Sequence, residues 1–469
     1  MQLTIEKLIY GADGLTRLPA DERGRGKAVF VPFVLPGEVV DVAVLEEKPG
    51  FVRARVEKIL LPSAERAQPG CPYFQHCGGC HYQHLKYEHQ LATKAEILKE
   101  NLRRIAKLEL QSELRVHPSP PWNYRNRIRL RIQEGPEFAL AYYRFGSHEL
   151  LAVEECPISS PLINRAISAL WKLGRAGMRP RVGDIEFFVD AEDSQVLVEV
   201  SCAVESRKQS TTSRDKKGTI VEDAKEHEGK ALAKWAMALK DALPELAGVV
   251  LLPDSRSPLA LVRRPLQQAQ TAANVRPRQQ DGRQTLYGVD HLTYRTQRAS
   301  YRVGAGSFFQ VNRYLTDELV NIVRNGNSGR TAVDLYAGVG LFSVVLSRGF
   351  RHLEAVESSP SSFADLQYNS PENVKAVCTS VAQYLKANAG RLQPDLLVVD
   401  PPRGGLGGAV VRDLVRLRAH RMTYVSCDPA TLARDLKELL GAGYRIEQAH
   451  LVDLFPQTYH LESVLQLVL

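Results

Sequence analysis

Up to about residue 60, apolar positions come in short runs separated by turn residues. GADGLTR supplies Gly11 and Gly14 for tight turns, and KAVFVPFVLPGEVVDVAVLEE holds two apolar runs split by Pro36-Gly37. FVRARVEKIL alternates apolar and basic residues. This pattern predicts a small β-barrel, with Arg53 and Arg55 on one face of a strand. Pro62 and SAERAQPG form a linker into CPYFQHCGGCHYQHL, and YEHQLATKAEILKENLRRIA has helical spacing of its leucines and isoleucines. From about residue 285, the short apolar runs TAVDLY, HLEAVE, DLLVVD and MTYVSC are mostly followed by helical periodicity. That alternation is the signature of a parallel α/β sheet.

Between these regions lies NYRNRIRLRI, where Arg125, Arg127, Arg129 and Arg131 alternate with mostly apolar residues. As a strand it places four guanidiniums on one face. Two readings stand: contact with an anion such as RNA phosphate, which we favour, or an outer face balanced by acidic neighbours. Residues 205–230 are polar and nearly charge-balanced, as expected of a mobile surface insertion, and 267–283 reads as a polar loop or linker.

The chain has 469 residues, enough for two or three domains. Hydrophobic residues make up 44% and charged residues 24%, which excludes a disordered chain. The net charge of +8 favours a polyanionic partner. MQLTIEKLIYG lacks a long apolar core, and no stretch approaches the roughly 20 apolar residues of a membrane span. A cytoplasmic protein is expected. The seven cysteines, an odd number, argue against a disulfide framework. Cys71, Cys77 and Cys80 fall close together, which points to a metal or cluster site.

VDLYAGVGLFSVVLS runs from a strand through Gly338 and Gly340 into a helix, bringing backbone close to a ligand. Glu357 ends the next strand, a place where an acid accepts hydrogen bonds from ribose hydroxyls. The third glycine of a dinucleotide fingerprint is replaced by Ser343. Asp400-Pro401-Pro402 closes a later strand, and such a motif is characteristic of methyltransferases acting on nitrogen or on nucleic-acid bases. MTYVSCDPATLARDLKELL ends a strand at Cys427, with Asp428 as helix cap and Pro429 in the first turn. The helix N-terminus is expected to favour the thiolate of Cys427. That placement makes a nucleophile of it rather than a packing residue.

Taken together, PGEVV, CPYFQHCGGCHYQHL, YRNRIRLR, EECPI, SFFQVN, VDLYAGVGLF, DPPRGG, YVSCDPATLARDL and FPQTYHLESV resemble the uracil-C5 RNA methyltransferases that make 5-methyluridine. The resemblance runs over nearly the whole chain. It implies Cys427 as the nucleophile that adds to C6 of uridine, and Glu462 as the base that removes the C5 proton, with His460 a weaker candidate. It implies S-adenosylmethionine bound through Gln310, Tyr336, Gly338, Gly340, Leu341 and Glu357, with Asp400 facing both cofactor and base. It also implies that Cys71, Cys77, Cys80 and Cys156 hold a [4Fe-4S] cluster; zinc is the alternative, although C-x5-C-G-G-C does not fit usual zinc spacing. Asp428 stands where Asn is more usual, Leu341 where some members have Asn, and a further polar cofactor contact would fall near Ser380.

The expected fold is multidomain α/β. An OB-like TRAM barrel occupies 1–60, a central α+β domain with the cluster and RNA contacts 61–284, and a Rossmann-like class I methyltransferase domain 285–469. The expected substrate is structured RNA whose target base is flipped out, with 23S ribosomal RNA ahead of transfer RNA. A monomer with no membrane partner is expected. Intact Cys427 and Glu462 speak against a non-catalytic RNA-binding or chaperone protein, and S-C-D-P near the C-terminus speaks against a DNA cytosine methyltransferase.

Overall fold

The structure is a computed structural model. It describes residues 1–19, 26–133, 137–180, 182–201, 220–253, 282–388 and 390–469, without the side chains of 220–228. The N-terminal region is a six-stranded sheet wrapped round its own small core of Leu3, Ile5, Val29, Val31, Val40, Val52 and neighbours. The strand Phe51–Leu61 shows why alternation predicts it: Val52 and Ala54 are buried, while Arg53 and Arg55 face solvent.

The middle of the chain forms a seven-stranded sheet, antiparallel except between Val196–Ser201 and Leu246–Leu252. Helices Pro161–Arg175 and Ile220–Ala242 contribute to its core, through Leu170 and Trp171 of the first and Leu232, Trp235 and Leu239 of the second. The expected mobile insertion therefore needs correcting at its C-terminal end. Residues 205–219 lie outside the described residues, but from Ile220 the backbone is helical because it continues into this apolar stripe. Of the expected linker 267–283, all but the last two residues lie outside the described residues.

The C-terminal sheet has eight strands. Val374–Cys378, Phe350–Glu357, Gly329–Leu335, Leu396–Val399 and Arg421–Ser426 run parallel in that spatial order. Glu462–Val468 then inserts antiparallel between Arg421–Ser426 and Arg445–Val452. The eighth strand, Leu114–His117, comes from much earlier in the chain and pairs with Arg445–Val452. Just before it, the helix Tyr87–Asn101 packs Leu98 into the catalytic-sheet core beside Leu432 and Leu436. Strand order reverses between Gly329–Leu335 and Leu396–Val399, and ligands of such sheets bind outside the carboxyl ends at this point. Among the described residues, no helix is long and apolar enough to cross a membrane.

Candidate active site

Arg421–Ser426 and Glu462–Val468 pair antiparallel, Ser426 opposite Ser463. The next residues outward, Cys427 and Glu462, therefore emerge side by side at the carboxyl edge. Asp428 caps the following helix, its Oδ1 accepting from the amides of Ala430 (3.0 Å) and Thr431 (2.8 Å). Burial first, then the Glu462 and Asp400 carboxyls, push the Cys427 thiol up to about 12, against a smaller opposing pull from Arg403. The pull toward thiolate expected from the helix N-terminus is thus opposed by desolvation and two acids. Burial, helped by Asp400, also holds Glu462 well above the usual carboxylate range. His460 is pushed down to about 3, by burial and then by Arg403, which makes it a poor proton acceptor.

The cofactor end is built on the Gly329–Leu335 strand. Tyr336, Gly338 and Gly340 take positive φ values of 63°, 56° and 92°. The φ of Gly340 favours glycine, and a Cβ there would also have to displace the Leu366 Cδ1 methyl, 2.9 Å away. Asp334 is fully buried beneath this turn and receives the hydroxyl of Ser343 on one oxygen, while its Oδ1 has no partner. Ser343 thus uses the place of a third glycine to hold that acid. Glu357 accepts from the amides of Gly338 (2.9 Å), Ser358 (2.7 Å) and Ser359 (2.6 Å), which pins its carboxylate at the mouth of the turn. Gln310 reaches from a separate loop to Asp400, Nε2 to Oδ2 at 3.4 Å, and Asn126 holds the Gln310 carbonyl at 3.0 Å. Leu341 opens the helix after the turn and buries its side chain in the core. Asp334 and Asp400 are each pushed up to about 7, by burial first and then by acidic neighbours: Glu357 for Asp334, and Asp334 for Asp400.

Comparison with known proteins decides what class of site this is. The family model described as tRNA (Uracil-5-)-methyltransferase matches residues 283–468, and the TRAM domain matches 1–56. An uncharacterized RNA methyltransferase of Aquifex aeolicus (strain VF5) is 33% identical over 472 residues, covering 99% of this chain and 97% of that one. The chain belongs to the tRNA (uracil-5-)-methyltransferase family. A second RNA methyltransferase, from Caldanaerobacter subterraneus subsp. tengcongensis, is 30% identical and covers 94% and 92% of the two chains. The crystal structure of Pyrococcus abyssi tRNA (uracil-54, C5)-methyltransferase, in complex with S-adenosyl-L-homocysteine, matches all of both chains with a TM-score of 0.68 at 23% identity. That likeness establishes the shared fold.

In this RNA methyltransferase the cysteines Cys71, Cys77, Cys80 and Cys156 form no disulfides and line one cavity of about 230 Å³ with Arg125 and Tyr142. Among the described residues, no group of three His, Cys, Asp or Glu side chains is placed to hold a single metal ion. The loop that carries Cys71, Cys77 and Cys80 is tied to the edge where Cys427 and Glu462 emerge, because the amides of His81 and Tyr82 both bond to the Gln457 carbonyl, at 2.8 and 2.9 Å.

The row of arginines differs from its expectation. The strand is Arg127–Gln133, with Ile128, Leu130 and Ile132 buried as the alternation requires. Its basic face is neutralised by the neighbouring strands: Arg127 pairs with Glu186 and Glu199, Arg129 with Glu186, and Arg131 with Asp184. Arg125 precedes the strand and turns to the cysteine cavity. The arrangement is therefore the acid-balanced one. Sequence reasoning also passed over Arg403, whose guanidinium lies 3.4 Å from His460 Nε2 and bears on Cys427 and Glu462. The motif DPPRGG contained that signal, since the residue after Pro-Pro leaves the sheet beside the nucleophile. Asp334 was missed as well, although a buried acid at the end of the first strand was visible in VDLY.

Proposed function

We propose that this protein methylates C5 of a uridine in structured RNA, with S-adenosylmethionine as methyl donor, Cys427 as nucleophile and Glu462 as the base. The observation that carries this reading is the strand register that sets Cys427 beside Glu462, with Asp400 and Arg403 acting on both. The thiol proton of Cys427 passes to a flanking carboxylate and on to solvent, and the sulfur bonds to C6. The C5–C6 π pair moves toward O4, giving an enolate that the Arg403 charge can offset. C5 then takes the methyl group, and the carbon–sulfur pair stays on the donor's sulfur. Glu462 as carboxylate removes the C5 proton. That C–H pair re-forms the double bond while the C6–S pair returns to Cys427.

A cationic sulfonium suits the acids around the site. Asp334, Asp400 and Glu462 all hold protons more tightly than ordinary carboxyls, and a positive charge brought among them favours their ionised forms. The unpartnered Oδ1 of Asp334, the pinned Glu357, the turn at Tyr336, Gly338 and Gly340 with Leu341 behind it, and Gln310 supply the contacts we assign to the donor.

Four unpaired thiols round one cavity, together with a guanidinium, suit a polynuclear iron–sulfur cluster better than one small ion, whose ligands must converge on a point. Cys71, Cys77, Cys80 and Cys156 would hold it, and its part is to brace the cysteine loop. No chemical step needs it. For the RNA we favour the outer face of the N-terminal sheet, where Arg53 and Arg55 are exposed and the ion pair of Arg53 with Glu46 is long, at 3.8 Å, over the closely acid-paired Arg127, Arg129 and Arg131.

The family resemblance, through its TRAM domain and four cluster cysteines, implies 23S ribosomal RNA as the favoured target, and the description of the matching family model favours transfer RNA as the second reading. Mapping 5-methyluridine in both RNAs from a deletion strain tests the proposal. A site lost from one RNA names the target, and no site lost from either would refute the activity.

A further inference from the structure

The N-terminal sheet is joined to the catalytic cysteine by one side chain. Tyr10 sits at the tip of a tight turn, closed by the Ile9 amide on the Asp13 carbonyl and the Ala12 amide on the Ile9 carbonyl, both at 3.0 Å. Gly11 and Ala12 follow with φ of 105° and 75°, so the turn projects Tyr10 away from the sheet. Its ring meets Tyr459 edge-on at 5.4 Å and packs on the cluster formed by Ala95, Ile97, Leu451 and Leu461. Its hydroxyl donates to the Cys427 carbonyl at 3.1 Å. That carbonyl lies between the last residue of a strand and the cap of a helix, outside both ladders, so regular structure does not orient it.

We infer that Tyr10 is a positioning residue for the nucleophile: its hydroxyl fixes the Cys427 peptide plane and thereby the direction of the thiol, making the N-terminal domain part of the active site as well as an RNA-binding module. This inference rests on Cys427 being the nucleophile. Burial holds the Tyr10 hydroxyl far above the ordinary phenol range, with Asp428, Tyr459 and Cys427 adding to it, so it remains a donor throughout the working pH range. The neighbouring ring of Tyr459 packs on His460, two residues before Glu462, so the same contact steadies the segment that leads into the strand opened by the base.

The test compares the full-length wild-type protein with Tyr10→Phe, which keeps the ring and its packing and removes only the hydroxyl. The expected result is a fall in kcat of about tenfold, as small misplacements of a reacting group cause, with KM for RNA unchanged within about twofold. Peptides spanning residues 425–431 should exchange amide hydrogens faster in the variant, and iodoacetamide should alkylate Cys427 at a changed rate, read by peptide mapping. These two measurements need neither RNA nor turnover. Unchanged kcat, exchange and alkylation would overturn the inference, and so would a raised KM with kcat intact, which would make Tyr10 an RNA contact. A wild-type protein that forms no 5-methyluridine would instead overturn the proposed function. If Tyr10→Phe melts well below the wild type, exchange and alkylation are compared below both melting temperatures, and equal rates there would still refute the positioning role.

Discussion

Cys427 and Glu462 are neighbours because Ser426 pairs with Ser463, the Ser463 hydroxyl reinforcing the pair by donating to the Ser426 carbonyl at 3.2 Å. An antiparallel register fixes both residues at once, so the proposed nucleophile and base share one sheet edge and need no mobile loop to meet. Cys427→Ala removes the sulfur proposed to add to C6. It should abolish 5-methyluridine formation while RNA binding, followed by filter retention, survives. Turnover within tenfold of wild type would remove Cys427 from the mechanism.

Glu462→Gln keeps the shape of the side chain and loses the proton acceptor. Addition and methyl transfer should proceed, and release of the sulfur should stall. A covalent protein–RNA adduct resistant to denaturing electrophoresis is expected. If free methylated RNA appears at the wild-type rate, another group removes the C5 proton.

The raised pKa of Cys427 has a measurable sign. An unperturbed thiol, near 8.5, approaches a plateau of alkylation rate above pH 9. With Cys427 at about 12, the rate in the free protein should still rise about tenfold per unit between pH 9 and 10. A plateau by pH 9 would show that the helix dipole dominates after all.

Asp334 and Asp400, both near 7, hold protons below neutrality that a bound cation must displace. S-adenosylmethionine should therefore bind more weakly as pH falls from 8 to 6, with proton uptake by buffer visible in titration calorimetry. Asp400→Asn should flatten that dependence. Binding independent of pH in the wild type would contradict the electrostatic account of the site.

Protein purified without oxygen should carry iron and absorb near 400 nm, roughly as thiolate-ligated clusters do. Cys156→Ala should lose most of both. Stoichiometric zinc without iron would replace the cluster with the alternative ion.

Arg129 is paired with Glu186, so Arg129→Ala should change RNA affinity less than twofold, whereas Arg53→Ala in the N-terminal sheet should weaken it several-fold, with a shallower salt dependence. The reverse outcome would restore the central strand as the RNA contact.

The sequence by itself determined what depends on neighbours along the chain. The alternation of Ile128, Leu130 and Ile132, the turn at Gly338 and Gly340, and the cap at Asp428 are local preferences, and each is realised where the residues place it. Only the tertiary structure decided what depends on distance through space. Glu186 and Asp184 from the adjacent strand and Glu199 from the one beyond it pair with the arginines, and no spacing within NYRNRIRLRI could reveal them. The acidity of Cys427 reverses its local expectation because desolvation is set by everything packed around it, here two carboxyls and the chain that covers them. Tyr10 reaches the Cys427 carbonyl across 417 positions, and a single hydrogen bond at that separation leaves no pattern in a sequence; it exists only because two sheets fold against each other.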